Sequence, residues 1–182
     1  MSADLIFDYL PLLGPVYARA QRWTALYRRG KRQVQDAMLT IIERVLLLQN
    51  IDLFSHVTAE QVSFFAALAE ENIVGPGRVL YRENDAPDGL YVVVSGSVAM
   101  RRGEEEIDRI GPNGSFGVWA LFDDEPRIAA ATTLEESRIL FISRDDFYDV
   151  LTDHVDIIQG LFKHLVLRIR GLATAVGTQH AG

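Results

Sequence analysis

The period of the apolar positions changes twice along the chain. Met38, Ile41, Ile42, Val45, Leu46 and Leu48 recur three and four apart, which marks one face of a helix. Thr58 stands before Glu60 and Gln61, with Phe64, Phe65, Leu68 and Ala69 behind it. Thr58 is therefore an N-cap, and its amphipathic helix is expected to run to about Glu71. From Gly75 the rhythm shortens. Gly75-Pro76-Gly77, Ala86-Pro87-Asp88-Gly89, Ser95-Gly96, Arg102-Gly103-Glu104 and Gly111-Pro112-Asn113-Gly114 are turn signals. The segments between them, 78–82, 90–94, 97–102 and 106–110, are rich in β-branched and aromatic residues and read as strands. Two more strands are expected near 128–133 and 138–142.

Helical spacing returns at Ser143, an N-cap followed by Asp145, Asp146 and Phe147. In the last helix, expected over 156–176, Ile158, Phe162, Leu165, Ile169, Leu172 and Val176 alternate four and three apart. That spacing is the seam of a coiled coil or of a helix laid along a groove. Many short strands with frequent Gly and Pro turns, framed by helices, predict an α+β fold. Its centre is an antiparallel β-barrel of jelly-roll (double-stranded β-helix) type flanked by N-terminal and C-terminal helices. The expected organisation is a helical, basic lead-in over 1–36 and one domain over 37–176, with a tail over 177–182. The domain divides into helices 38–71, barrel 75–143 and C-terminal helices 144–176.

Composition narrows the function classes. The chain has no cysteine, which removes disulfides, thiolate metal sites and cysteine nucleophiles together and fits a reducing compartment. The apolar stretch over 5–17 contains Asp8 and lacks a basic segment before it, so it is read as folded protein and the chain as cytoplasmic. Net charge is −7, unevenly placed: residues 1–45 carry seven Lys and Arg against four Asp and Glu. The acidic remainder argues against a nucleic-acid partner, because binding there rests on neutralising phosphates. The basic cluster Arg19, Arg22, Arg28, Arg29, Lys31 and Arg32, beside Trp23 and Tyr27, fits either a segment at an anionic membrane surface or a solvated helix face.

The candidate chemistry lies in Gly114-Ser115-Phe116-Gly117-Val118-Trp119-Ala120-Leu121-Phe122, followed by Asp123-Asp124-Glu125-Pro126-Arg127. A glycine turn entering a short helix presents unpaired N–H groups and the positive end of the helix dipole. An arginine returning at the next strand can fork onto the same anion. The run 116–129 resembles the phosphate-binding cassette of the cyclic-nucleotide-binding domain family, in which Phe-Gly-Glu is followed by small and aliphatic residues and then by Pro-Arg. The strand Leu90-Tyr91-Val92-Val93-Val94-Ser95-Gly96-Ser97-Val98 resembles a second hallmark of that family, and Gly77 and Phe147 fall where it places turn and helix residues. The resemblance covers roughly residues 38–170. It implies a ligand site at Phe116, Gly117, Val118, Trp119, Ala120, Arg127 and Ile128, with a cyclic nucleotide as the ligand class and no other cofactor.

Two departures bear on that ligand. Val118 stands where the family carries the glutamate that binds the ribose 2′-hydroxyl, and Ile128 where a small or hydroxyl residue follows the arginine. A sugar hydroxyl left unpaired costs on the order of 1–3 kcal/mol, a tenfold to hundredfold loss of affinity. Trp119 is expected to serve as core, with stacking on a base as the alternative. Arg127 either holds a phosphate or pairs with a neighbouring carboxylate.

Enzyme chemistry has little support in the sequence. His56, His154, His164 and His180 all fall outside the expected strands, so a cupin-type metal site is not expected; His154 is placed to cap a helix. Ser115 lacks the glycine pattern of a nucleophile elbow, and Glu104-Glu105-Glu106 reads as a solvated hairpin. The chain ends about ten residues after Leu172, leaving no room in it for a DNA-reading helix-turn-helix. The expectation is a non-enzymatic regulatory or docking module, degenerate for cyclic nucleotide. It would work by protein interaction, as a homodimer through the seam or within a larger assembly reaching the membrane surface. The alternative is a cyclic AMP or GMP sensor that acts by moving its C-terminal helix.

Overall fold

The structure, a computed structural model, describes residues 38–178, with side chains to Gly171. All of them but Met38 belong to a compact unit that begins at Leu39. The basic cluster over 19–32, residues 179–182 of the expected tail and the side chains of Leu172 and Val176 lie outside the described residues, whereas 177 and 178 still belong to the last helix.

Helix α1 (Ile41–Gln49) starts at Thr40, whose hydroxyl accepts from the Glu43 N–H while the Glu43 carboxylate accepts from the Thr40 N–H at 2.8 Å. This reciprocal pair satisfies two orphan donors of the first turn. Thr58 and Gln61 repeat the device at the start of α2 (Ala59–Leu68). That helix stops three residues before the expected Glu71. Ala69 turns extended, and β1 (Glu70–Val74) pairs antiparallel with β8 (Ser137–Ser143), from Glu70 opposite Phe141 to Val74 opposite Ser137. The tertiary ladder overrides the helical propensity of Ala-Glu-Glu.

The other strands are β2 (Val79–Tyr81), β3 (Gly89–Ser95), β4 (Val98–Arg102), β5 (Glu105–Ile110), β6 (Ser115–Phe116) and β7 (Ala130–Thr133). The expected barrel is realised as two four-stranded antiparallel sheets, ordered β1-β8-β3-β6 and β2-β7-β4-β5. It is jelly-roll-like, but hydrogen bonding does not run continuously around it. The chain changes sheet at Gly75-Pro76-Gly77 and at Gly111-Pro112-Asn113-Gly114, and proline there has no N–H to continue a ladder.

Strand β3 lies at the centre of three layers. Its Leu90 and Val92 face the helices with Leu140, Ile142, Phe65 and Phe147. Its Tyr91 and Val93 meet Ile139, Phe116, Tyr81, Val98 and Ala131 between the sheets. Burial on both faces is why the run 90–94 is continuously apolar rather than alternating.

One buried ion cluster ties the layers at their edge. The Glu71 carboxylate, 2% exposed, pairs with Arg138 and, at 3.7 Å, with Arg44, and accepts from the Leu39 N–H at 2.7 Å. Arg44 also donates to the Ala69 carbonyl at 2.7 Å.

Ser143 caps α3 (Arg144–Asp153), its hydroxyl accepting from the Asp146 N–H. His154 closes that helix, and its ring stacks on Phe64 at 3.6 Å. Helix α4 (Ile157–Thr178) docks through Ile157 and Leu161, both buried. Gly160 permits this contact, since a Cβ there would lie 2.5 Å from the His56 carbonyl. The seam residues sit one position round from the docked face. Ile158 and Leu165 are half-buried, whereas Phe162 and Ile169 are 61% and 66% exposed. Among the described residues no helix is long and apolar enough to cross a membrane.

Candidate functional site

The cassette hangs between the sheets. Strand β6 brings Phe116 into the inter-sheet core, where its ring stacks on Tyr91 at 5.1 Å. Gly117 then takes φ +82°, a left-handed conformation that favours glycine. A short 3-10 turn, Val118–Leu121, follows without a side-chain cap. In a turn of three residues per repeat, positions i and i+3 share a face. Val118 and Leu121 accordingly pack against the helical core, while Trp119 is turned outward and is 75% exposed. The expectation that Trp119 is core is thus corrected by the phase of a 3-10 turn, which the sequence alone does not reveal. Ile128, like Trp119, is largely exposed, at 62%.

Arg127 is fixed before β7 begins. Its N–H donates to the Asp85 carbonyl at 2.9 Å, and its own carbonyl accepts from the Asn84 N–H at 2.8 Å. The side chain is buried and turns inward. It ion-pairs with Asp88 and donates to the carbonyls of Gly89 at 2.8 Å and Gly117 at 3.3 Å. Its guanidinium lies 4.1 Å from the centroid of the Tyr81 ring and 5.9 Å from that of Tyr91, within reach of a cation–π attraction of about 1–2 kcal/mol when desolvated. Nε is buried and has no hydrogen-bond partner among the described residues. Asp88 binds the Tyr91 hydroxyl with its second oxygen, so carboxylate, guanidinium and two phenol rings form one unit.

This unit holds both phenols protonated. Burial pushes Tyr81 up to about 12, with Arg127 opposing and Asp88 adding to the shift. Tyr91 is raised further, by burial first and then by its hydrogen bond to Asp88. An acid raised in the folded state stays protonated where the unfolded chain has lost its proton, so the stability it confers is complete below the ordinary value of 10.0. It is lost as pH rises toward about 12. Alkaline difference absorption should therefore show Tyr81 and Tyr91 still as phenols at pH values that ionise free tyrosine, and both ionising when denaturant is added. Ionisation of both at the free-tyrosine pH would show that the cluster does not form.

Gly117, Trp119, Ala120, Arg127 and Ile128 line a cavity of about 210 Å3, together with Tyr81, Met100, Asp123, Glu125, Pro126 and Ala129. Phe116 and Val118, also expected at the ligand site, do not line it: Phe116 is core between the sheets, and Val118 is half-buried against the core beneath the helices. Asp88, Tyr81 and Met100 are the site residues that sequence reasoning missed. Asp88 carries the one readable signal, a carboxylate in the Pro87-Asp88-Gly89 turn at the head of the long apolar strand; it reads there only as a turn residue.

The Cyclic nucleotide-binding domain family matches residues 72–154. A CRP-like cAMP-activated global transcriptional regulator of Mycobacterium tuberculosis is 33% identical over 99 residues, which are 52% of this chain and 44% of the regulator. Among solved structures, a cyclic nucleotide-binding-like protein from Brucella abortus is 30% identical with a TM-score of 0.54, covering 60% of this chain and 97% of that one. The N-terminal domain of a transcriptional regulator from Streptomyces coelicolor is 29% identical with a TM-score of 0.65, covering 71% of this chain and 93% of that one. The chain spans less than half the length of the first curated relatives it matches.

Proposed function

The chain belongs to the cyclic nucleotide-binding domain family, and from that premise we propose that it is a non-enzymatic regulatory or docking module whose cassette no longer serves a cyclic nucleotide. The observation that carries this reading is the commitment of Arg127. Its charge is answered by Asp88 and its Nη donors by two carbonyls, so a phosphate would have to displace a carboxylate already in contact. Loss of the acid at position 118 supports the same reading, since Val118, half-buried against the helical core, gives a ribose hydroxyl nothing to donate to.

Isothermal titration with cyclic AMP and with cyclic GMP tests it. The expected result is no saturable heat at ligand concentrations up to about 1 mM, the level of a −4 kcal/mol interaction. Micromolar binding that Arg127→Ala abolishes would overturn the reading. It would favour instead a nucleotide sensor that moves α4, the alternative to which the unpartnered Nε of Arg127 lends support.

Protein contact through α4 is the output of the module. Phe162 and Ile169 stand exposed along one face at seam spacing, a surface suited to a symmetric partner. Sedimentation should show concentration-dependent dimers that Phe162→Asp with Ile169→Asp returns to monomer. A strictly monomeric chain at high concentration would remove the dimer from the account.

A further inference from the structure

The cavity beneath the cassette differs in character from a nucleotide site. At about 210 Å3 it is smaller than the roughly 300–1,000 Å3 of most small-molecule pockets. Tyr81, Met100, Trp119 and Ile128 make much of its wall apolar. Trp119 and Ile128 are also largely exposed, so the cavity opens between two apolar side chains that meet solvent. Such a pairing of concave apolar wall and exposed apolar rim marks a ligand site rather than a packing void.

Charge decides which ligand. Arg127 lines the cavity, but its charge is neutralised in contact by Asp88. Asp123 and Glu125 also line it and have no ion-pair partner among the described residues. The local balance is therefore negative and disfavours an anion, even after screening of the exposed carboxylates.

We propose that this cavity is the site of a small uncharged ligand, an apolar body about the size of one substituted aromatic ring. The proposal rests on the reading that the cassette no longer serves cyclic nucleotides. The ligand would fill the space under Trp119 and cover the exposed indole and the Ile128 side chain. It would thereby tie the cassette turn to the β2 and β4 wall, through Tyr81 and Met100.

The probe is acetophenone, with benzoate as its anionic counterpart. Binding is followed by Trp119 fluorescence in a Trp23→Phe chain, where Trp119 is the only indole, and by calorimetry. Acetophenone should bind saturably, and benzoate more weakly than acetophenone. Ala129→Leu, which fills the cavity, and Ile128→Lys, at the exposed rim where folding is not at stake, should each weaken acetophenone binding severalfold. No saturable acetophenone signal, or binding indifferent to both substitutions, overturns the ligand assignment and leaves the function proposed above standing. Micromolar cyclic AMP that displaces acetophenone overturns the cyclic-nucleotide-free reading itself, and the ligand assignment with it.

Discussion

Glu71→Ala should lower the unfolding free energy by about 3–5 kcal/mol, the range for breaking a buried ion pair from one side. Glu71 is 2% exposed and serves Arg44, Arg138 and the Leu39 N–H at once. Removing it takes the shared carboxylate from two guanidinium groups that are 11% and 14% exposed, so their charge is no longer offset by it. The cluster also joins the start of α1 to the edge strand β1 and its neighbour β8, so the loss is shared by helix and sheet. At about 2–4 °C per kcal/mol for a chain of this size, the melting temperature should fall by roughly 6–20 °C. Urea unfolding with unchanged slope and a lowered midpoint would attribute the effect to stability. A shift within about 0.5 kcal/mol, the range of a surface substitution, would show that the cluster does not hold the edge.

Gly117→Val should be nearly as costly and should also disarm the site. At φ +82° a side chain with a Cβ carries about 1–2 kcal/mol of backbone strain. That Cβ would lie 2.7 Å from the Gly89 carbonyl and 2.8 Å from Nη1 of Arg127. Neither neighbour yields freely: Gly89 opens β3, and Arg127 is held by Asp88, two carbonyls and the Tyr81 ring. Relief comes only by pushing the guanidinium off its partners, for a total of roughly 3–5 kcal/mol once overpacking is included. Gly103→Ala is the control. Gly103 also has positive φ, at +57°, but its Cβ would meet nothing within 4 Å, so only the backbone strain should appear. Equal losses in the two variants would mean that the close approach of Gly117 to Arg127 is not real.

The sequence was most legible where a local rule and the tertiary structure agree. Thr58 and Ser143 cap helices as their positions before helical runs led one to expect, whereas the cap at Thr40 lies inside the run that reads as helix from Met38. The glycine and proline turns marked six of the eight strands to within two residues. The two that escaped have physical reasons. Strand β1 begins in Glu70-Glu71, residues that prefer helix and are extended only because β8 offers a ladder. Strand β6 is two residues long and leaves no period to read.

The site was legible as a segment but not as a geometry. The residues at 116–129 announced a cassette, yet which of them face the cavity depends on the phase of one short turn, which sends Val118 inward and Trp119 out. Asp88 pairs with Arg127 across 39 positions of sequence, a juxtaposition created by the β3 and β7 registers and absent from any local pattern. The α4 seam was legible as a spacing. That Ile157 and Leu161 dock, leaving Phe162 and Ile169 exposed, follows from Gly160 closing on the His56 carbonyl.

The most direct measurement is the nitrogen-15 resonance of the Arg127 Nε–H, assigned by its loss in Arg127→Lys and followed as cyclic AMP is added. With the guanidinium already held by Asp88, the signal should stay where it is through about 1 mM nucleotide. A saturable shift at micromolar cyclic AMP would mean that the phosphate takes the place of the carboxylate, and the assignment of this cassette as one that has left cyclic nucleotides would be wrong.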